Sequence, residues 1–99
     1  TAQAAYHRGN WMDIAENLAG SRRGTGNALG GVAFEWLDEW WKNYEPYRHD
    51  RKSDAIGPFP GGYYFEEWFG LAGQGKGQHS PFLRQLRKSY FAYQEMWNR

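Results

Sequence analysis

The most informative part of the sequence is the stretch Gly30-Gly31-Val32-Ala33-Phe34-Glu35-Trp36-Leu37-Asp38-Glu39-Trp40-Trp41-Lys42. Two glycines lead into Val-Ala-Phe, an apolar run that suits a β-strand and is too short for the core of a helix. The pattern therefore predicts a strand over residues 31–36. Carboxylates and indoles follow directly, and in α/β proteins ligand sites gather at the carboxyl ends of strands.

The composition around this stretch indicates a small ordered domain with an aromatic core. With 99 residues, the chain forms one domain at most. It has six Leu, two Ile, one Val and two Met, against six Trp, seven Tyr and six Phe. Disordered chains combine few aliphatic residues with few aromatics and a high net charge, whereas the net charge here is +1. Packing must therefore come largely from aromatic rings, several with a polar tip that needs a partner.

The same composition excludes several classes of function. Without cysteine there is no disulfide framework and no thiolate metal site, and the cellular compartment is left undetermined. No apolar run approaches the roughly 20 residues of a membrane span. A net charge near zero argues against nucleic acid as a partner. Because the chain opens with Thr and runs directly into a helical pattern, we expect it to be processed or cut from something longer.

No cofactor or metal site is predicted. His7, His49 and His79 are far apart in the sequence and lack the spacing of metal ligands, so each is interpreted as a surface or helix-end histidine. The alternative is that His49 and Asp50 bind a cation together with Asp54.

Upstream of the central stretch, the pattern predicts a helix over residues 1–19. Apolar and aromatic side chains recur there at spacings of three and four, and Gly20 is a natural stop. Residues 20–31 are rich in glycine and arginine, but they lack the Gly-Lys-Ser/Thr ending of a phosphate-binding loop. A solvated connection is the better interpretation. The predicted helix face carries Ala4, His7, Trp11, Ile14, Ala15 and Leu18.

Downstream, residues 37–79 are predicted to be a loop-rich segment with aromatic and acidic side chains. Residues 43–62 contain three prolines and three glycines and show no sustained periodicity. Residues 63–71 place aromatics around Glu66 and Glu67, and either a short strand or one helical turn fits them. A final helix is predicted over residues 80–98, with Ser80 as its cap and Pro81 in its first turn.

Taken together, these residues resemble the end of a glycoside hydrolase TIM barrel, of the family 2-like type in the retaining clan with two catalytic glutamates. In such barrels a helix leads to an eighth strand of the form Gly-Gly-aromatic-x-Trp-Asp-aromatic-x-Asp, and a loop and a last helix close the ring. The matching parts are the first helix, residues 30–42 and the closing run Ser-Pro-Phe-Leu-Arg-Gln-Leu-Arg-Lys-Ser-Tyr-Phe-Ala-Tyr-Gln-Glu-Met-Trp of residues 80–97.

The resemblance implies an α/β fold in which the chain supplies the last quarter of a (β/α)8 barrel. A complete barrel takes about 250 residues, so this piece alone would leave sheet edges and a helix face unburied and is not expected to be self-sufficient. The resemblance also implies that the catalytic glutamates lie on strands upstream of Thr1. It further implies that Phe34 stands where the family presents a Trp to the sugar.

The resemblance and the residue types together predict a substrate-binding site without a catalytic pair. Carboxylates can accept hydrogen bonds from sugar hydroxyls, and flat indoles match the apolar faces of pyranose rings. The alternatives are that the carboxylates form salt bridges with nearby cations and that the indoles are core residues. The predicted substrate-binding residues are Phe34, Glu35, Trp36, Asp38, Glu39, Trp40, Glu67 and Trp68.

We therefore expect a glycosidase-like fragment that binds an oligosaccharide or polysaccharide and is an enzyme only when completed by other barrel segments. A different class of function is also open. The chain could be a small non-catalytic subunit that binds another protein through its aromatic faces. A free-standing carbohydrate-binding module fits less well, because such modules are usually sandwiches of many strands.

Overall fold

The computed structural model describes residues 1–46, 49–50, 60–74 and 84–98, which form two compact units. The first unit comprises Thr1–Ala33 and Lys88–Arg99, and the second comprises Phe34–Arg87. Two α-helices lie in the first unit, α1 (Ala2–Glu16) and α2 (Lys88–Trp97). The second unit contains a small sheet and the short 3-10 helices Trp40–Lys42, Pro60–Gly62 and Phe65–Trp68.

In the first unit, α1 packs against α2 through small and aromatic side chains. Ala4 and Ala92 are buried, and because both are small they let the two helices approach closely. Tyr93 is the aromatic centre of the contact: its ring lies 6.1 Å from that of Trp11, and His7 Nδ1 is 3.0 Å from its hydroxyl. The aromatic packing expected from the composition is realised here by rings with polar tips.

Helix α1 ends at Glu16, three residues before the predicted end at residue 19. Asn17 stops it, because its side-chain amide donates to the Asp13 carbonyl at 2.9 Å and its Oδ1 accepts from the Thr25 amide at 2.8 Å. The backbone then pairs with Ala28 instead of continuing the helix, through Ala28 N to Asn17 O and Ala19 N to Ala28 O. A loop contact therefore replaces the last helical turn.

The strand predicted over residues 31–36 differs from what the structure shows. Within the described residues, no backbone hydrogen bond is made by residues 29–34, and pairing begins at Glu35. From Glu35 to Asp38 the chain runs parallel to residues 69–72, linked by Leu71 N to Glu35 O (2.7 Å) and Ala72 N to Trp36 O (2.9 Å). The prediction of a strand over residues 31–36 is therefore wrong, because the backbone pairing lies on residues 35–38, in the acidic half of the stretch.

One strand cannot form a sheet by itself. Residues 69–72 supply the partner of residues 35–38. Of the two interpretations that the sequence left open for residues 63–71, the structure shows the helical turn, at Phe65–Trp68, and Leu71 then pairs with Glu35. Strand β1 (Ala72–Gly73) then pairs antiparallel with β2 (Gln85–Leu86). Strand β1 thus lies between residues 35–38 and β2. This strand was not predicted from the sequence because it has only two residues.

Gly70 lets the first two segments approach. A Cβ atom at this position would lie 2.5 Å from the Ala72 carbonyl oxygen and 2.6 Å from the Leu37 carbonyl carbon. It would also press on the Asp38 amide nitrogen. Since these neighbours are backbone atoms that cannot move aside easily, only glycine fits here.

The last helix also differs from its prediction over residues 80–98. Helix α2 begins at Lys88, because Gln85 and Leu86 belong to β2 and the Arg87 amide donates to the Leu71 carbonyl at 3.0 Å. The predicted cap Ser80 and first-turn Pro81 lie outside the described residues. Residues 85–87, which were predicted to be helical, therefore pair with residues 71–73 instead.

Neither helix in the described part of the chain is long and apolar enough to cross a membrane. The longer one, α1, has 15 residues against the roughly 20 that a span requires. This agrees with the prediction made from the sequence.

Candidate functional site

A buried charge cluster forms the centre of the second unit. We use this name for Asp38, His49, Glu67 and Arg87. Asp38 and Glu67 are 0% exposed, which is rare for carboxylates unless they are paired. Asp38 ends the paired segment and Glu67 lies in the Phe65–Trp68 turn, so the local fold brings two acidic residues from distant parts of the sequence to one place.

Arg87 neutralises Asp38. Its guanidinium donates from Nη1 to Asp38 Oδ1 at 2.6 Å and from Nη2 to Asp38 Oδ2, which is the two-pronged geometry of a strong ion pair. The same Nη1 also reaches the carbonyl oxygen of Gly70 at 2.6 Å, and the Gly70 amide donates to Asp38 Oδ1 at 3.0 Å. Asp38 therefore joins all three extended segments of the sheet.

His49 lies between the two buried carboxylates. Its Nε2 is 3.4 Å from Asp38 Oδ2 and its Nδ1 is 3.6 Å from Glu67 Oε2. The imidazole stacks on the Trp68 indole, with centroids 3.5 Å apart and planes inclined by 11°, and it is tilted against Trp40 at 4.9 Å. An imidazole, two carboxylates and two indoles are thus assembled around one point.

Asp50 fixes the chain next to His49. Its carboxylate accepts from the Tyr44 amide at 2.5 Å and the Glu45 amide at 3.2 Å, and its own amide donates to Glu67 Oε2 at 2.6 Å. Its carbonyl accepts from the Tyr64 amide at 3.1 Å. Asp50 is therefore a structural anchor, and its carboxylate is occupied by backbone donors.

Burial raises the pKa of Glu67, although the Asp50 amide and His49 act in the opposite direction. Glu67 Oε1 and Trp40 Nε1 are buried without a hydrogen-bond partner among the described residues. His49 Nδ1 is a third, since its 3.6 Å approach to Glu67 is longer than a hydrogen bond. Polar atoms buried in this way carry a cost that a proton, a water molecule or a ligand can relieve.

A second group of ionisable side chains lies nearer the surface. We call Glu35, Glu39, Lys42 and Glu66 the half-buried carboxyl cluster. Lys42 Nζ is 3.1 Å from Glu39 and 3.8 Å from Glu66. Burial and the negative charge of the neighbouring Glu39 raise the pKa of Glu35.

Aromatic rings form the exposed side of the second unit. Phe34 is 62% exposed and Trp36 is 52% exposed, on either side of Glu35. Phe34 contacts Phe69 edge to face with centroids 6.2 Å apart, and Phe65 contacts Phe69 at 5.6 Å. We call Phe34, Trp36, Phe65 and Phe69 the aromatic surface, in which Phe34, Trp36 and Phe65 are exposed and Phe69 is partly buried. Exposed flat rings suit stacking on an apolar ligand face.

The structure divides the eight predicted site residues into two groups. Phe34, Glu35, Trp36 and Glu39 lie at the aromatic surface or in the half-buried carboxyl cluster. The others are placed in or against the buried charge cluster, where Trp40 is only 2% exposed and the Trp68 face carries His49. The residues of this second group are Asp38, Trp40, Glu67 and Trp68.

Two members of the buried charge cluster were missed by sequence reasoning. His49 was interpreted as a surface or helix-end residue, and its one signal was its position beside Asp50 in a long loop. Arg87 was not among the predicted site residues, and nothing in the sequence pairs it with Asp38. Among the described residues, no group of three His, Cys, Asp or Glu side chains is arranged to hold a metal ion, and Asp54 lies outside them.

Comparison with known proteins adds no relative to this description. Neither the protein-family models nor the curated proteins nor the solved structures contain a match to the chain.

Proposed function

We propose that the chain provides the substrate-side aromatic and acidic residues of a carbohydrate-active, glycosidase-like barrel, whose catalytic glutamate pair is supplied by other segments. The observation that carries this proposal is the placing of Phe34 and Trp36, both more than half exposed, on either side of the half-buried Glu35. Rings beside a hydrogen-bond acceptor are what a pyranose requires, because its faces are apolar and its rim carries hydroxyl donors.

The carboxylates of the second unit fit binding better than catalysis. Asp38 and Glu67 are fully buried and engaged with Arg87, His49 and the Asp50 amide. A retaining glycosidase holds its two carboxyls about 5 to 5.5 Å apart, and an inverting one about 6.5 to 9.5 Å.

The half-buried Glu35 and Glu39 are suited to accept hydrogen bonds from the hydroxyl groups of a sugar. Catalysis falls to the glutamate pair that other segments of the barrel supply.

Calorimetric titration of the 99-residue chain with soluble glucan, xylan, mannan and chitin oligosaccharides tests the proposal. We expect saturable binding to at least one of them, weakened about tenfold by Trp36→Ala, which corresponds to about 1.4 kcal/mol. Trp97→Ala is the matched control, since this indole is 56% exposed and belongs to the first unit. Equal weakening by both substitutions, or no binding to any sugar, would count against the proposal.

A second candidate function is binding to another protein, as a small subunit of a larger assembly. Leu29 is 94% exposed and Val32 is 97% exposed, and both belong to residues 29–34, which make no backbone hydrogen bond among the described residues. Exposed apolar side chains on backbone without hydrogen bonds suit an added strand from a partner. Two results together would favour this candidate. The chain would bind none of the sugars, and it would capture a protein from the native source that the Leu29→Lys and Val32→Lys variants fail to capture.

A further inference from the structure

His7 and Tyr93 form a hydrogen bond between the two helices of the first unit. His7 Nδ1 lies 3.0 Å from the Tyr93 hydroxyl, and the two rings meet at 62° with their centroids 5.4 Å apart. Tyr93 is buried, and within the described part of the chain His7 is the one hydrogen-bond partner of its hydroxyl. The direction of this hydrogen bond therefore decides whether the hydroxyl proton has an acceptor.

Only one protonation state of His7 satisfies both groups. When the imidazole is neutral with its proton on Nε2, Nδ1 has a lone pair that accepts the proton of the Tyr93 hydroxyl. When the imidazole is protonated, both ring nitrogens carry a proton. Nδ1 must then donate to the Tyr93 oxygen, and the hydroxyl proton loses its acceptor at a buried position, which is costly.

The groups around His7 do not compensate a positive charge on its ring. On its own helix it faces the phenol ring of Tyr6, with centroids 6.1 Å apart, and on α2 it faces Tyr93. The adjacent Arg8 forms an ion pair with Glu95 of α2, so this carboxylate already has a counter-charge. Burial lowers the pKa of His7 below the ordinary value of a histidine.

We propose that His7 is an acid-sensitive contact between α1 and α2, which stabilises their packing while its imidazole is neutral and weakens the packing when it is protonated. Trp11 belongs to the same packing, since its ring lies 6.1 Å from that of Tyr93 and 5.4 Å from that of Trp97. The contribution of His7 is complete above about pH 6.5, the pKa of an unfolded histidine, and is lost as the pH falls towards the lower pKa of the folded state. This inference does not depend on the sugar-binding proposal, because all of its residues belong to the first unit.

Nuclear magnetic resonance of the full chain tests this contact. The ring nitrogens of His7 and the backbone amides of Trp11 and Tyr93, which lie inside α1 and α2, would be followed from about pH 8 to about pH 5, a range that brackets histidine titration. At the alkaline end we expect the tautomer with its proton on Nε2. As the ring gains its second proton, the hydrogen-exchange protection of both amides, corrected for the intrinsic exchange rate, should fall at least about threefold.

Matched variants separate this contact from a general effect of acid. His7→Gln keeps a hydrogen-bonding side chain that does not titrate, so the step in the protection of Trp11 and Tyr93 should disappear. His49→Gln, in the second unit, should leave the step intact. The proposal is overturned if protection stays constant or rises while the His7 ring gains its proton in the unmodified chain, if His7→Gln retains the step, or if His49→Gln abolishes it. Since the first readout uses the unmodified chain, the test does not require that any variant folds.

Discussion

Arg87 holds both carboxylate oxygens of Asp38, a residue 49 positions earlier in the chain and fully shielded from solvent. The same guanidinium reaches the carbonyl oxygens of Trp68 and Gly70, at 3.1 and 2.6 Å. The ion pair therefore fastens β2 to the two extended segments beside it. The rest of the second unit is arranged around this contact.

Arg87→Ala should destabilise the chain by about 3 to 5 kcal/mol, because it leaves the Asp38 carboxylate buried without its counter-charge. Arg87→Lys should recover only part of this loss, since a lysine cannot make the two-pronged contact. Chemical denaturation measures both effects.

The control for this prediction is Arg8→Ala. Arg8 forms an ion pair with Glu95 in which both side chains are largely exposed, so its removal should cost at most about 1 kcal/mol. Equal losses for Arg8→Ala and Arg87→Ala would show that Asp38 is not shielded as the structure indicates.

These contacts show what sequence reasoning could reach and what it could not. The helical periodicity of residues 3–16 is local, and α1 lies where it was expected except for its last turn. A strand was predicted over residues 31–36, whereas the backbone pairing lies on residues 35–38. The partner, residues 69–72, is a short run whose strand character comes from tertiary contacts and not from its own pattern.

For the candidate site, the sequence did not separate the residues that are exposed from those that are buried. Phe34 and Trp36 are exposed, and their contact with a ligand stays a prediction. By contrast, Trp40 and Asp38 stand in the same run and are buried, and no local signal separates them from their exposed neighbours. His49 and Arg87 could not have been assigned, because their roles arise from residues brought together by the fold.

Gly70→Ala should destabilise the chain by at least about 2 kcal/mol, because the added methyl group would collide with the backbone of Leu37 and Ala72. Gly9→Ala is the matched control. Position 9 lies inside α1 with no heavy atom within 4 Å of the new Cβ, so alanine should stabilise the helix by about 0.5 to 1 kcal/mol. Thermal unfolding of both variants gives the comparison, and a Gly70→Ala chain as stable as the parent would refute the close approach.

Glu35→Gln should change how stability depends on pH. Burial and Glu39 raise the pKa of Glu35 in the folded chain, so the folded state favours the protonated form. The contribution of Glu35 to stability is therefore complete below the pKa of an unfolded glutamate and is lost as the pH rises through the folded value. A glutamine, neutral at every pH, should match the parent in acid and be slightly more stable, by less than about 1 kcal/mol, at neutral pH.

Urea denaturation at about pH 4 and about pH 7 measures this difference, and both values bracket the range in which a perturbed glutamate titrates. Glu45→Gln, at an exposed position, is the control and should leave the pH dependence unchanged. A Glu35→Gln chain that is less stable than the parent at neutral pH would reverse the predicted sign.

Phe34→Trp should strengthen sugar binding, because an indole offers a larger flat face than a phenyl ring at the same exposed position. We expect a gain of about fivefold, close to 1 kcal/mol. Phe34→Ala should weaken binding, whereas Phe91→Trp, an exposed position in α2, should have no effect. Calorimetric titration with the best-bound oligosaccharide checks all three, and an unchanged affinity in both Phe34 variants would remove this residue from the binding surface.

Whether the chain binds sugar at Trp36 is tested by following the indole region of the nitrogen–proton correlation spectrum of the full chain while an oligosaccharide is added. The sequence has six tryptophans, so six indole signals report on six positions at once. We expect the Trp36 signal to move with increasing sugar, while that of Trp97 in the first unit stays in place. Saturating oligosaccharides of the glucan, xylan, mannan and chitin types that leave the Trp36 signal unmoved would contradict it.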